Sequence, residues 1–157
     1  MRIPLSRRAL AGLLILSPGL AAAQPAPDLP TPAGPFLEIV PTGGHGPVRL
    51  AAAQVVRIGR AEGYTVIDTA AWVQQRTVEA AESVARRVSA TGQRLVPLTD
   101  LSGQRCWLAA ERVVLVRGSE DRHATGARAA LVLVGLRFGQ DVAVRETVEE
   151  VMAALGR

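Results

Sequence analysis

Two stretches of the chain share one order of apolar and polar residues. Residues 48–58 align with residues 106–116 at an offset of 58, without a gap. Beyond an insertion of six residues the offset becomes 64, and residues 82–84 then align with residues 146–148. The pattern predicts that a small module is duplicated in tandem and that each copy builds the same elements.

Period-two alternation and β-branched residues predict four strands in the first module, and a helix after them. The strands are expected at residues 36–40, 48–58, 64–69 and 72–78, and three consecutive alanines at 51–53 are expected to bend the second one. Apolar residues at helical spacing indicate the helix, and they are Ala81, Val84, Ala85 and Val88.

The second module predicts the same order, with further strands at residues 129–134 and 136–144 after a polar loop at 117–128. Its terminal helix has the clearest signature in the chain, because Thr147 and Glu150 have the spacing of a capping box. The apolar stripe of this helix consists of Val148, Val151, Met152 and Leu155.

These elements predict an α+β fold of mostly antiparallel strands, with one short helix in each module. The first ββββα repeat is assigned to residues 36–92 and the second to residues 93–157. A module of this size buries only about 60% of its surface when it folds alone. The two modules are therefore expected to pack together with approximate two-fold symmetry.

The N-terminus predicts export. Residues 1–23 have a basic start, an apolar run too short to span a bilayer and a small-residue cleavage site at 21–23, which is typical of a signal peptide. The stretch around Arg7 and Arg8 also resembles a twin-arginine signal, so the Sec and twin-arginine routes both remain open. Residues 24–35 contain five prolines and are expected to form an extended linker. A periplasmic or secreted location follows.

Charge argues against a nucleic-acid partner. The isoelectric point of about 10.8 includes three arginines of the signal segment. The rest of the chain has 15 arginines against 14 acidic residues. A phosphate-binding surface needs clustered excess cations. With the signal removed, no stable membrane insertion is expected either.

The residue types also limit the chemistry. The single cysteine, Cys106, aligns with Val48 and is expected in the core, where it has no disulfide partner. His45, in a glycine-rich turn, and His123 are the only histidines, too few with one cysteine for a zinc cluster. No serine lies in a recognisable hydrolase arrangement. The sequence therefore predicts no catalytic residues, no cofactor and no metal.

Several segments of the second module are similar to the small flagellar and swarming-motility proteins of the FlbD type. They are PLTDLSG at 97–103, Trp107-Leu108, LVLV at 131–134 and VRETVEEV at 144–151. Proteins of that family are short single modules with an LTxLNG-like start and a VKES-like approach to a terminal helix. The resemblance covers about sixty residues and implies a motility role without catalytic residues. This chain differs in being doubled and in carrying an export signal.

The candidate partner-binding residues lie in the second module. The longer polar loop distinguishes it from the first module, and loops often carry function; the alternative is an ordinary solvated loop. Trp107 is expected either at an exposed interface or in a buried layer between the repeats. The full set is Trp107, Arg117, Asp121, Arg122, His123 and Arg128.

The leading hypothesis is an exported, non-enzymatic protein-interaction module of the bacterial cell envelope, with a protein partner there and self-association left open. The alternative is a small periplasmic ligand-binding protein or enzyme. Its site would lie between the two repeats and would use charged residues such as Asp68, Arg137 or Asp141. Two or more buried ionisable groups in a pocket would favour that alternative.

Overall fold

The computed structural model describes residues 34–136 and 141–156. The predicted signal peptide and nearly all of the predicted linker lie outside the described residues, as does Arg137.

Each half of the chain has the same order of elements: two strands, a 3₁₀ turn, three strands and a helix. The elements of the first half are β1 (Phe36–Ile39), β2 (Val48–Ala51), the turn Ala52–Gln54, β3 (Val55–Ala61), β4 (Tyr64–Thr69), β5 (Gln74–Thr77) and α1 (Ala81–Ser89). Those of the second half are β6 (Leu95–Thr99), β7 (Arg105–Ala109), the turn Ala110–Arg112, β8 (Val113–Gly118), β9 (Ala129–Leu133), β10 (Val142–Val144) and α2 (Val148–Leu155).

The predicted bend in the second strand of each repeat is a full turn. At Ala52–Gln54 the chain makes one turn of 3₁₀ helix, so the stretch expected as one bent strand becomes β2 and β3. The predicted strand at 72–78 is also shorter in the structure, because Trp72 adopts a positive φ of 63° and β5 begins after it. A side chain at positive φ rarely continues a strand.

All strand pairs are antiparallel, and with the two helices they confirm the α+β class. β1 pairs with β2, and β8–β9–β10 form a three-stranded sheet. The remaining five strands form one sheet in the order β5–β4–β3–β7–β6. The junction between the halves lies in this sheet, where β3 pairs with β7 in the register Arg57↔Leu108 and Ile58↔Trp107.

The core consists of two apolar clusters. The first is built around Ile39, Ile58, Ile67 and helix α1, and Leu95 and Trp107 of the second half pack against it. The second is built mainly from β6, β7, β9, β10 and α2, and it takes in Val56 of the first half. Each half therefore contributes side chains to the core of the other, which couples their folding.

The two helices begin differently. Thr147 accepts a hydrogen bond from the Glu150 backbone N–H at 3.1 Å, and the Glu150 carboxylate accepts one from Thr147 N–H at 2.7 Å. This is the capping box predicted from the sequence. Helix α1 has Ala80 at its N-cap and no side-chain cap. Neither described helix is long and apolar enough to cross a membrane.

Candidate functional site

The long loop between β8 and β9 is organised by one carboxylate. Asp141 lies just before β10 and its side chain is only 6% exposed. Its Oδ2 atom accepts a hydrogen bond from the Arg117 guanidinium, one from Arg122 Nη2 at 2.6 Å and one from His123 Nε2 at 3.0 Å. Three donors from the loop therefore converge on a single oxygen, and hydrogen bonds to an ionised acceptor are stronger than neutral ones.

His123 has both ring nitrogens occupied. Its Nδ1 atom accepts a hydrogen bond from the Glu120 backbone N–H at 2.7 Å. The contact from Nε2 to Asp141 then requires a proton on Nε2, so the neutral Nε2–H tautomer satisfies both partners. A general base needs a free lone pair. The ring therefore fixes the loop, and its lone pair is already used.

The charges of this cluster balance. The Glu120 carboxylate contacts Arg117 Nη1 at 3.0 Å and Arg122 Nε at 2.7 Å. Two arginines thus face two carboxylates, and the cluster has almost no surplus charge to attract a free anion. In the described ranges, no group of three or more acidic, histidine or cysteine side chains has an arrangement that would hold a metal ion.

The structure brings together three of the six candidate residues, Arg117, Arg122 and His123. Asp121 is exposed in the same loop. Arg128 lies apart and makes an exposed ion pair with Glu150 at 3.7 Å, a contact that contributes little. Trp107 is half-buried against the first core cluster, which matches the interpretation of a layer between the repeats.

Cys106 lies inside the second cluster with 2% of its surface exposed. Burial raises its pKa from 9.0 to about 11, because an apolar environment disfavours the thiolate. The thiolate is the nucleophilic form, so Cys106 is a core residue and a poor nucleophile. His45 is exposed in its turn, as a hairpin residue would be.

The most prominent surface was not among the predicted sites. Strand β8 lies at the edge of its sheet and pairs, in the described part of the chain, with β9 alone. Val114 is 63% exposed and Leu115 is 45% exposed on this strand. Exposed edges with apolar side chains are places where another strand can add.

A groove runs between this edge and helix α2. Its apolar lining includes Val113, Val116, Met152 and Leu155 together with the two exposed residues of β8. Met152 belongs to the predicted apolar stripe of α2, yet it is 52% exposed, whereas Val151 is fully buried. We refer to the free side of β8 and this groove together as the β8 edge. The repeat alignment holds a signal for it, because β8 aligns with β3, and the second side of β3 is covered by β7.

A second concave surface lies where the halves meet. It is a cleft of about 390 Å³ lined from the first half by Gly34, Pro35 and Ala53 and from the second by Gln93, Glu111 and Arg112, among others. Arg112 donates a hydrogen bond across it to the Ala53 carbonyl oxygen at 3.0 Å. Asp68 and Asp141, which were considered for a site between the repeats, do not line this cleft.

Comparison of the chain with protein-family models, with curated proteins and with solved structures found no match.

Proposed function

We propose that this protein is a non-enzymatic interaction module of the bacterial cell envelope and that it binds a protein partner through the β8 edge. The observation that carries the proposal is the edge strand β8, which in the described residues pairs on one side only and exposes Val114 and Leu115 beside the half-exposed Met152. An added strand would take up the free main-chain groups of β8, and the apolar groove would select its side chains.

The charged loop has a supporting role in this proposal. Arg117 is in β8 itself, and its ion pair with Asp141 fixes the end of the strand. The exposed Asp121 and Arg122 then lie beside the strand's end, where they would contact the rim of a bound partner. Rim charges chiefly influence the association rate and the choice of partner.

The chemistry of the described residues supports a binding role over catalysis. The lone pair of His123 accepts from the Glu120 amide, and the Cys106 thiol is buried with a raised pKa. An imidazole and a thiol have the best intrinsic chemistry for a base and a nucleophile. Both are used for structure.

We also propose that the two halves arose by duplication, which the shared element order supports. Two-fold packing, as expected from the sequence, would pair β2 with β8 just as β3 pairs with β7. In the described residues β2 pairs with β1 and β8 pairs with β9. We therefore propose that the two duplicated halves meet in a head-to-tail junction, without a two-fold axis between them.

The envelope location rests on the N-terminal sequence, and the motility association rests on the resemblance to FlbD-type proteins. Cell fractionation with mass measurement of the exported form tests the first. A periplasmic species that starts at Gln24 is expected, and an uncleaved cytoplasmic chain would contradict export.

Deletion of the gene followed by a swarming assay tests the motility association, and normal swarming would contradict the motility role.

Site-specific photo-crosslinking in cells tests the binding function. A photoreactive residue in place of Val114 is expected to give discrete crosslinked bands. The matched control replaces Arg86, which is exposed on helix α1 and does not line the groove of the β8 edge. Bands at position 114 and none at position 86 support the proposal. Equal labelling at both positions, or none at either, would reject it.

The cleft between the halves favours a second candidate function, the binding of a small ligand. Glu111 and Arg112 supply opposite charges at its rim, a pattern suited to a polar ligand with both donors and acceptors. A thermal-shift screen of amino acids and sugars, run on the wild type and on Arg112→Ala, tests it. A stabilising ligand that loses its effect in the variant supports this function, and a flat screen counts against it.

A further inference from the structure

The first half shows the same strand edge with a partner strand, whereas in the second half that edge has none among the described residues. Strand β3 corresponds to β8, and β2 corresponds to β7, at the common offset of 58. In the first half, β3 has β4 on one side and β7 on the other. The β3–β7 junction thus shows how a three-stranded sheet of one module accepts the hairpin of the module that follows it.

Burial differs between the two halves at corresponding positions. Val56 and Val88 are fully buried in the first half, whereas their counterparts Val114 and Met152 are 63% and 52% exposed. Leu95 of the following hairpin packs on the first cluster. Among the described residues, no hairpin lies against β8 in the way that β6–β7 lies against β3. The apolar residues of the β8 edge therefore correspond to residues that are buried when another hairpin packs beside the strand.

The same chain carries an unused hairpin of the right kind. Strand β2 pairs only with β1 in the described residues, so the side that β7 uses for pairing is free on β2. Among the described strands, β8 is thus the free counterpart of β3 and β2 is the free counterpart of β7, and these two do not pair with each other. Two such edges on different molecules are complementary.

The charges at the two free edges are also complementary. Trp107 of the second half packs against the first apolar cluster, to which Ala85 of the first half belongs. The repeat replaces Trp107 with Arg49 and Ala85 with Glu149, both of which are exposed. A junction between two copies would thus place a cation and an anion at positions where the internal junction places two members of one apolar cluster.

We propose that the β8 edge of one molecule pairs with strand β2 of a second copy of this chain. The internal junction sets the register: Leu115 opposite Leu50 of the second copy, and Val116 opposite its Arg49. This inference rests on the proposed function, since it names the partner for the same edge. The contact is head-to-tail. If each of two molecules places its β1–β2 hairpin against the β8 edge of the other, the two contacts close a dimer.

Light scattering of the full chain during size-exclusion chromatography tests the association. A mass of two or more copies is expected, and Leu115→Glu is expected to reduce it to one copy because a charge would enter the apolar junction. The control is Val78→Glu, whose side chain is 67% exposed outside the β8 edge. Circular dichroism checks that both variants fold. A monomeric wild type, or an unchanged mass for a folded Leu115→Glu, would overturn the proposal.

Cysteine pairing tests the register. Separately purified Arg49→Cys and Val116→Cys are mixed under oxidising conditions, with Cys106 left in place because it is buried. Directly opposite residues of antiparallel strands have Cα atoms about 4.5–5.5 Å apart, within the range of a disulfide. A disulfide-linked dimer is expected. The control pair of Val116→Cys with Glu82→Cys, on helix α1, should stay unlinked. Equal linkage in both mixtures, or none, would contradict the register.

The two proposals fail in different ways. Photo-crosslinks from position 114 to another envelope protein, with a monomeric wild type, would overturn self-association and leave the binding function intact. A lack of crosslinks together with a monomeric wild type would remove both.

Discussion

At the residue scale, Asp141 determines the shape of the charged loop. Its nearly buried side chain receives two arginines and a histidine. Asp141→Asn removes the negative charge and leaves the cations without their common acceptor. We expect a loss of about 2 kcal/mol in the free energy of unfolding, measured in urea, because the charge-assisted hydrogen bonds to the Asp141 carboxylate are weakened.

Asp121 provides the control for this change. It is an acid in the same loop, but it is exposed. Asp121→Asn is expected to alter stability by less than about 0.5 kcal/mol. If the two substitutions had equal effects, the convergence of donors on Asp141 would not be what holds the loop.

The buried Cys106 gives a prediction in pH. With a pKa of about 11 in place of 9.0, the thiolate fraction at pH 8 is roughly a hundredfold lower than in the unfolded chain. Reaction with a thiol reagent at pH 8 should therefore be slow in native protein and fast in urea. The native state keeps a proton that the unfolded state loses, so stability falls as pH rises from about 9 to 11. Equal reaction rates in both states would contradict this burial.

The sequence revealed the residue types of the loop, but it suggested Asp141 only for a site between the repeats and did not connect it with the loop. Arg117, Arg122 and His123 are close in sequence, so the loop itself indicates a cluster. Asp141 follows 18 residues after His123, and its contact depends on β10 folding back beside β9. A pairing of strands that is set by tertiary packing is invisible to local spacing.

At the element scale, the two helices differ in their N-caps, and the difference predicts opposite effects. Thr147→Ala removes the capping box of α2 and is expected to lower the free energy of unfolding by about 1 kcal/mol. Ala80→Ser supplies a cap where α1 has none and is expected to raise it by about 0.5 kcal/mol. Thermal unfolding of both variants checks the signs. Stabilisation by the first, or destabilisation by the second, would show that caps do not limit these helices.

The elements were predicted well where their signals are local. The capping box of α2 is present as its spacing indicated, and β4 has the bounds expected from its β-branched residues. Pairing between elements was not predictable, because many antiparallel orders satisfy the same alternation. The β3–β7 junction and the free β8 edge are consequences of pairing order. Met152 therefore seemed a core residue from its stripe and proved to be half-exposed.

At the scale of the whole molecule, the halves share their interiors. Val56 reaches into the second cluster, and Leu95 and Trp107 reach into the first. Small modules have little core of their own. We therefore infer that the two halves unfold together, in one transition that different probes report at the same midpoint.

Removal of one side chain at the junction tests this coupling. Trp107→Ala takes a half-buried indole from the first cluster while its backbone belongs to the second half. We expect a loss of about 3 kcal/mol in a transition that stays single by circular dichroism and by fluorescence of the remaining Trp72. The control is Trp72→Ala, whose side chain is 67% exposed and whose loss should change stability by less than about 0.5 kcal/mol. If Trp107→Ala split the transition, with the first half melting before the second, the halves would be separate folding units. A shared interior requires that damage placed in either half lowers one common midpoint.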